Sequence, residues 1–448
     1  MNDINIPRQV IMLANSIRKA GGRLYIVGGA VRDWQMGIPP IDLDLLIVGL
    51  DVTTGLAIMG QPEQVIGNAP VYMWGKTEVA FARRETSIGD GKHGFTFVAD
   101  ATVTLLEDLR RRDFTINSMA IDVLTGTFID PFGGRHDIEK GLLHPTSRAF
   151  VESPERVLRG AAFAARFDFD VTATFNTYAR QMLVDFDTIP AEQIWRHWEK
   201  MCVHAIKPAR WLEVIIDAGW VYKFPVLAQM VGVEQDMWYH PEGDLIAHTC
   251  QVMDMALVAA EHYGRDKMVA ITAALLHDNG KATTTFAREG RIVSPGHAEA
   301  GVAPADSFLT QIAAPLRFKA RVLELVKLHM RLIQCESPRS IRRLLADMEY
   351  DLLDLLVIVS ADHSGRGSDK LDTSMTDMFL ERVEQLAPKH KFEPLVMGRD
   401  LIMMGLKPSR EFGIILSAAA DAQIEGVFDN LLDGLEWVKK YIGDSYER

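Results

Sequence analysis

Strand-forming runs in this chain of 448 residues stop near residue 150, and the sequence beyond keeps helical spacing almost to its end. The early runs are short: LYIVGG (24–29), LDLLIVG (43–49), VYMW (71–74), EVAFAR (78–83) and MAIDV (119–123). Turn residues part them, among them Pro39-Pro40 and the stretch from Gly89 to Gly94. An amphipathic segment, Val10 to Ala20, precedes them. After residue 150, segments such as PERVLRGAAFAARF (154–167) and ITAALLH (271–277) repeat apolar residues at helical intervals. Pro190, Pro208, Pro225 and Pro241 read as helix starts or breaks. TFAREGRIVSPGHA (285–298) is the one loop expected in that half. The expectation is an α+β chain, a small mixed-sheet head followed by a long all-α body, with length for two to four domains.

Composition narrows the function classes. Hydrophobic residues at 48% and charged residues at 24% exclude a largely disordered chain. A net charge of −12 excludes a uniformly basic nucleic-acid coat, though not one local basic groove. Residues 140–212, with ten Lys/Arg against eight Asp/Glu, are the mildly positive stretch where such a groove would lie. Three cysteines without a CxxC make a disulfide framework or structural zinc unexpected and fit a reducing compartment. The start, MNDINIPRQV, lacks a signal-peptide core, and LLDLLVIVSA (352–361) is too short to span a bilayer and carries Asp354. A soluble, cytoplasmic protein without membrane attachment is expected; oligomeric state is unreadable.

In the head, Asp42 and Asp44 lie two residues apart in a strand-like run, which points both carboxylates to one face. Two such groups repel, so a divalent cation is the natural company for them. An isolated pair of this kind is usually a solvated strand edge, but this one has neighbours. Gly28-Gly29-Ala30-Val31-Arg32-Asp33 follows a strand and opens a helix-like segment, where backbone amides approach phosphate oxygens. Arg110, Arg111 and Arg112 stand beside Asp113 and Asn117, and guanidinium forks suit a triphosphate. Glu78 offers a third carboxylate. Together these parts describe metal-assisted nucleotidyl transfer.

These motifs resemble the bacterial tRNA nucleotidyltransferases of the poly(A)-polymerase-like class, which add CCA to tRNA 3′ ends. The matching stretches are LYIVGGAVRD (24–33), DLDLLIVG (42–49), RRDFTINSMAID (111–122), DPFGGRHDIEKG (130–141), ESPERVLRGAAFAARF (152–167) and IPAEQIWRHWEKM (189–201). The resemblance implies Asp42 and Asp44 as holders of Mg2+, with Glu78 beside them as a catalytic carboxylate. It implies Gly28, Gly29 and Arg32 as part of the triphosphate cradle, and Arg111, Arg112, Asp113 and Asn117 as nucleotide-binding. DPFGG (130–134) resembles the flexible element between head and neck.

In the neck the family pattern is Glu-Asp-x-x-Arg, whose Asp and Arg read the incoming base. Here it is Glu152-Ser153-Pro154-Glu155-Arg156, with Arg159 one turn on. Ser153 replaces the Asp, and a hydroxyl is a shorter, uncharged acceptor. The loss is expected to relax discrimination by about 1–3 kcal/mol, the range of charge-assisted hydrogen bonds. Ala162 and Gln193 also stand where the family has Arg, and Glu155 is a candidate to compensate. For Arg156, Arg159 and Arg166 the plain alternative is a solvated or salt-bridged helix face.

A second constellation, His248, His277-Asp278, His297, His329 and Asp362, is spread through the helical half. Imidazole with carboxylate suits a divalent metal, and Asp278 is placed to bridge two ions. HPEGDLIAHT (240–249), LLHDNGK (275–281), SPGHAEAG (294–301), VKLHM (326–330) and VSADHSGRG (359–367) resemble the HD-type phosphohydrolase domain. That resemblance implies His248, His277, Asp278 and Asp362 as core ligands, with His297 and His329 for a second metal. His240 and His363 are left outside the set. Ni, Mn, Co and Mg all remain open as the ion. The tail, from PLVMGRDLIMMG (394–405) to Ile442, resembles a tRNA-contacting segment, with Met403-Met404 read as core filling.

The organisation expected is a head at 1–142, a neck and body at 143–235, an HD domain at 236–390 and a helical tail at 391–448. The expected activity is CCA addition to tRNA from CTP and ATP, with hydrolysis of 2′,3′-cyclic phosphates or phosphomonoesters. The alternatives are a template-independent polymerase of poly(A) type, or an HD phosphohydrolase with a non-catalytic head.

Overall fold

The computed structural model describes residues 6–40, 42–60, 62–64, 71–87, 95–367, 370–386 and 393–446. Backbone contacts divide the chain into two compact units, Met1–Ala228 with Gln311–Ala313, and Gln229–Thr310 with Ala314–Arg448.

The first unit opens with helix Arg8–Lys19, which buries Val10, Leu13, Ala14 and Ile17 on one stripe. The strands are β1 (Arg23–Val27), β2 (Asp44–Val48), β3 (Glu63–Gln64), β4 (Val71–Trp74), β5 (Thr77–Phe81), β6 (Arg84–Ser87), β7 (Phe95–Val98), β8 (Ala120–Asp122) and β9 (Phe128–Ile129). Seven of them form one sheet in the order β3-β4-β5-β2-β1-β8-β9. It is mixed: β2 runs parallel to β5 and antiparallel to β1. Every strand-like run read from the sequence lies in this sheet. Leu24, Ile26, Leu45, Ile47, Val79 and Ile121 belong to one core, while Tyr25, Val27, Leu46 and Ala120 belong to another. This is the period-two alternation of a sheet covered on both sides. β6 and β7 pair as a separate antiparallel ribbon, which the turn-rich sequence there does not announce.

Helix Glu155–Phe167 follows Pro154, carries Glu155 in its first turn and Arg166 in its last, and stops at Asp168 with φ 55°. It buries Val157, Leu158, Ala161, Ala164 and Ala165 against helices Ala191–His204 and Ala209–Asp217. Gly160 is required by contact, because a Cβ there would lie 2.4 Å from the Phe175 ring. With that stripe buried, Arg156, Arg159, Ala162, Phe163 and Arg166 share the opposite face at helical spacing. Pro190 and Pro208 sit immediately before helices, as expected, and Pro225 begins one.

Among its described residues the second unit is built of helices and one hairpin. The expected loop at 285–298 contains strands Phe286–Arg288 and Arg291–Val293, joined by Glu289 and Gly290, both with positive φ (53° and 76°). That two-residue turn has the twist a hairpin needs, which corrects the loop expectation. Near its end, helices Gly398–Met403, Arg410–Ile424 and Leu431–Tyr446 share a small core around Leu401, Ile415, Ala419 and Val438. Met403 is 76% exposed, so the core-filling reading holds for Met404 alone. Successive helical residues diverge by about 100°, and only one of the two can face the core. Among the described residues no helix is long and apolar enough to cross a membrane.

Candidate nucleotide and metal sites

A cavity of about 750 Å³ opens within the first unit, a volume typical of small-molecule sites. Asp44 enters it from the first position of β2, and Glu78 is its register partner on β5, so the two share a face. Asp42 lies outside the strand, exposed, two residues before it. The ladder stops because β1 ends at Val27, opposite Asp44, where Gly28 turns the chain away at φ 69°. The expected one-strand pair is therefore a strand residue plus a residue of the preceding bend. Burial raises the Asp44 pKa, and the charges of Glu78 and Asp42 add to the rise, against Arg112 and Arg32. Carboxylates that crowd one another in this way fit a hard divalent cation with oxygen ligands.

Gly28 separates the carboxylate from the arginines. A Cβ there would lie 3.2 Å from both Arg112 Nη1 and Asp44 Oδ2. Arg111 and Arg112 are aimed by Asp108, a residue the sequence reading did not single out. Its carboxylate is fully buried and accepts from both guanidiniums, at 2.6 Å from Arg111 Nη2 and 3.0 Å from Arg112 Nη2. Burial pushes its pKa up, but the two arginines outweigh burial and leave it lowered. Arg110 is exposed on the helix end, so the expected trio is a pair.

Arg32 is buried and spent on structure as well as lining the cavity. It donates to Asp33 Oδ1 at 2.7 and 2.9 Å and to Asn117 Oδ1 at 2.7 Å, and it stacks 4.8 Å above the Phe167 ring. Asn117 in turn donates to Asp113, whose second oxygen pairs with Arg159 at 2.8 Å. DPFGG is tied rather than loose at one point: Asp130 accepts from the backbone N–H of Gly134 and Arg135 at 2.8 and 3.0 Å.

On the neck side, Arg156 donates to the carbonyls of Ala149 (2.6 Å) and Arg111 (2.9 Å), which ties the neck helix to the arginine-bearing turn. Ser153, Glu155 and His197 line the cavity beside it, and Ala162 leaves room. Glu152 is exposed and outside the lining. Glu155 Oε2 accepts from Gln193 at 2.8 Å and lies 3.7 Å from His197 Nε2; these neighbours lower its pKa to about 2, His197 first.

In the second unit His248, His277, Asp278, His297, His329 and Asp362 converge, each on a different helix or helix end apart from the adjacent pair. Asp278 sits between two pairs of rings. Its Oδ2 is 3.5 Å from His248 Nε2 and 3.2 Å from His277 Nε2; its Oδ1 is 3.1 Å from His297 Nε2 and 3.7 Å from His329 Nε2. Asp362 Oδ1 is 3.1 Å from His248 Nε2. The rings are oriented from behind. Nδ1 of His277, His297 and His329 each lies 2.8 Å from a carbonyl three residues earlier, of Ala274, Ser294 and Val326. A carbonyl only accepts, so each Nδ1 carries a proton, and Nε2 is the nitrogen turned toward Asp278.

Those Nε2 atoms crowd together around Asp278. His297 Nε2 and His329 Nε2 face each other at 3.2 Å, while the Nε2 atoms of His248 and His277 are buried without a hydrogen bond. This set of imidazoles and carboxylates fits divalent metal. Lys281 puts a positive charge there, with Nζ 2.7 Å from Asp278 Oδ2 and 2.7 Å from Gln235 Oε1. Gly280 explains the spacing of the motif: a Cβ would lie 2.1 Å from the His297 carbonyl oxygen, so only glycine lets the two halves meet. His240, left outside the set, packs on His248 at a centroid distance of 4.6 Å. His363 points elsewhere, to Asp372 at 3.3 Å.

Residues 24–144 match the poly A polymerase head domain, and residues 245–364 match the HD domain. The multifunctional CCA protein of Neisseria meningitidis is 40% identical over 311 residues, 67% of this chain and 71% of that protein. That of Nitrosococcus oceani is 32% identical over 397 residues, covering 86% of this chain and 93% of the relative. The chain belongs to the multifunctional CCA protein family. Among solved structures, a Bacillus stearothermophilus CCA-adding enzyme in complex with CTP aligns with a TM-score of 0.62 at 18% identity, covering 98% of each chain. The Thermotoga maritima CCA-adding enzyme complexed with tRNA aligns with a TM-score of 0.59 at 16% identity, covering 98% of this chain and 96% of that one. These two likenesses speak for the fold of the CCA family alone.

Proposed function

We propose that this chain adds or repairs the 3′-terminal CCA of tRNA from CTP and ATP, and that its HD domain hydrolyses 2′,3′-cyclic phosphates or phosphomonoesters. The observation that carries the first activity is the cavity lined by Asp44, Arg111 and Arg112, with Gly28 between Asp44 and Arg112 and Glu78 beside Asp44 on the next strand. Asp42, Asp44 and Glu78 would hold Mg2+, whose chemistry is to lower the pKa of the attacking hydroxyl and neutralise the leaving group. The tRNA 3′-oxygen forms a bond to the α-phosphorus, the α–β bridging bond breaks, and pyrophosphate leaves with its charge facing Arg111 and Arg112. Gly28 and Gly29 let the triphosphate approach the backbone. Arg32, Asp113, Asn117 and Arg159 brace the cradle. Ser153, Glu155 and Arg156 stand where the base is selected, with Glu152 preceding them in the same motif.

In the HD domain, His248, His277, Asp278 and Asp362 would hold one divalent ion and Asp278, His297 and His329 a second, from among Mg, Mn, Co and Ni. Such ions supply a nucleophilic water at neutral pH. Lys281 stands close enough to Asp278 to share a phosphate oxygen with the site. The four-part division at 142, 235 and 390, and a cytoplasmic location, complete the reading.

The test is incorporation with Mg2+ onto tRNA transcripts ending before CCA, after C and after CC, each offered CTP, ATP, UTP and GTP singly and together. Two C and one A, with little U or G, is the expected product. Runaway or mixed addition would transfer the reading to a relaxed template-independent polymerase, which Ser153 favours. Absence of incorporation on every end would refute nucleotidyl transfer to tRNA.

A further inference from the structure

The four histidines of the HD cluster are not held alike. Three of them rest Nδ1 on a backbone carbonyl three residues earlier. His248 does not. Its Nδ1 lies 2.7 Å from Oε1 of Glu242, a carboxylate whose side chain is 1% exposed. The same oxygen accepts from Nδ1 of His240 at 2.9 Å, and the His240 ring stands edge-on against His248 at 78°. Oε2 is buried without a partner. Glu242 is thus enclosed behind the cluster, with both rings on one of its oxygens.

Helix geometry explains the exception. His277 and His329 close their helices and His297 opens one, so a carbonyl three residues back lies within reach of Nδ1. His248 sits in the first turn of helix Leu245–His262, where the carbonyl three residues earlier, of Leu245, already accepts from the Thr249 hydroxyl at 2.7 Å. The turn His240-Pro241-Glu242-Gly243, closed by Gly243 N–H to the His240 carbonyl at 3.0 Å, returns a side chain to fill the place.

We propose that Glu242 is a positioning residue for the metal centre: by holding Nδ1–H of His248 it fixes the Nε2 lone pair toward Asp278 and Asp362 and makes His248 the most electron-rich of the four imidazoles. His240, on the same oxygen, keeps that carboxylate from turning to solvent. A carboxylate behind a ligating imidazole raises its basicity more than a neutral carbonyl does, and removing such a partner typically costs 10–100-fold in metal affinity. The inference rests on the proposed metal-binding reading of the HD cluster.

The experiment is calorimetric titration of the metal-stripped full chain with Co2+, with the visible absorption of the bound ion recorded in parallel. Wild type, Glu242→Gln, Glu242→Ala and His277→Ala are compared. Glu242→Gln keeps side-chain length and one accepting oxygen, so it serves if the alanine variant fails to fold. The expected result is about tenfold weaker binding for Gln and up to 100-fold for Ala, with a shifted absorption band, a change that a merely structural role would not produce. Unchanged affinity and spectrum in both Glu242 variants, with binding lost in His277→Ala, would overturn the role of Glu242 and leave the metal reading standing. Wild-type binding that His277→Ala does not reduce would overturn the metal reading and the inference with it.

Discussion

Asp108 holds two cavity arginines with one buried carboxylate, and Asp108→Asn isolates what that clamp contributes. Each carboxylate oxygen serves one guanidinium, Oδ1 for Arg111 and Oδ2 for Arg112, through an Nε and an Nη2 contact apiece. Asparagine keeps one accepting oxygen and presents an NH2 group to the other arginine, so one of the two forks is lost. A hydrogen bond to a charged group contributes about 1.5–3 kcal/mol. The arginine side chains are 16% and 18% exposed and recover some water, which places the loss near the lower end, about 1.5 kcal/mol. If the clamp aims both forks at the triphosphate, that loss appears as about a tenfold fall in kcat/KM for CTP incorporation. The assay is steady-state incorporation onto a tRNA ending before CCA, with phosphohydrolysis of a 2′,3′-cyclic phosphate measured on the same preparation as a check on the other unit. Unchanged kcat/KM in a folded Asp108→Asn protein would refute the claim that this carboxylate aims the arginines.

Gly28→Ala is expected to lower Tm and abolish incorporation together, because φ 69° with ψ −134° is glycine territory costing about 1–3 kcal/mol for other residues, and the new Cβ meets Arg112 and Asp44. Gly280→Ala should remove phosphohydrolysis and divalent-metal binding while incorporation persists; a backbone oxygen 2.1 Å from the new Cβ forces His297 away from Asp278. Metal binding equal to wild type would contradict it. The lowered Glu155 pKa predicts an acid limb in stability. A carboxylate at about 2 in the fold and 4.5 as its ordinary value stabilises the fold above pH 4.5 and loses that contribution between pH 4.5 and 2. Thermal melts of wild type and Glu155→Gln should therefore converge as pH falls through this window; a constant gap would count against it.

What the sequence reveals and what it hides divide along the reach of each interaction. The β runs, the glycine turn at Gly28 and the His277-Asp278 pair are local patterns, and the structure places each as read. Asp42 was misplaced because a strand ends where its partner ends, and the partner, β1, is fixed by Gly28 and not by anything near Asp42. The hairpin at 286–293 was missed because Glu-Gly is an uncommon carrier of two positive φ angles. Asp108 is one acid in a helix, and nothing local separates it from Glu107, which caps that helix from the surface through Thr104. Burial alone makes Asp108 a clamp and Glu107 a cap, and burial is decided by the sheet beneath.

The two sites also differ in how they supply charge balance. In the head cavity, carboxylates and guanidiniums are both present within one unit, so the free protein offsets much of its own charge and a triphosphate exchanges partners with groups already paired. In the HD cluster carbonyls take the Nδ1 protons of three imidazoles, and the Nε2 atoms of His297 and His329 face each other at 3.2 Å. Lys281 is the cation that touches Asp278 there. A divalent ion entering the cluster must therefore compete with Lys281 for Asp278 Oδ2, and Lys281→Met is expected to tighten Co2+ binding while weakening hydrolysis, since it removes a rival cation and a phosphate contact together. Weaker Co2+ binding in Lys281→Met would show that the ammonium supports the site and does not compete for it.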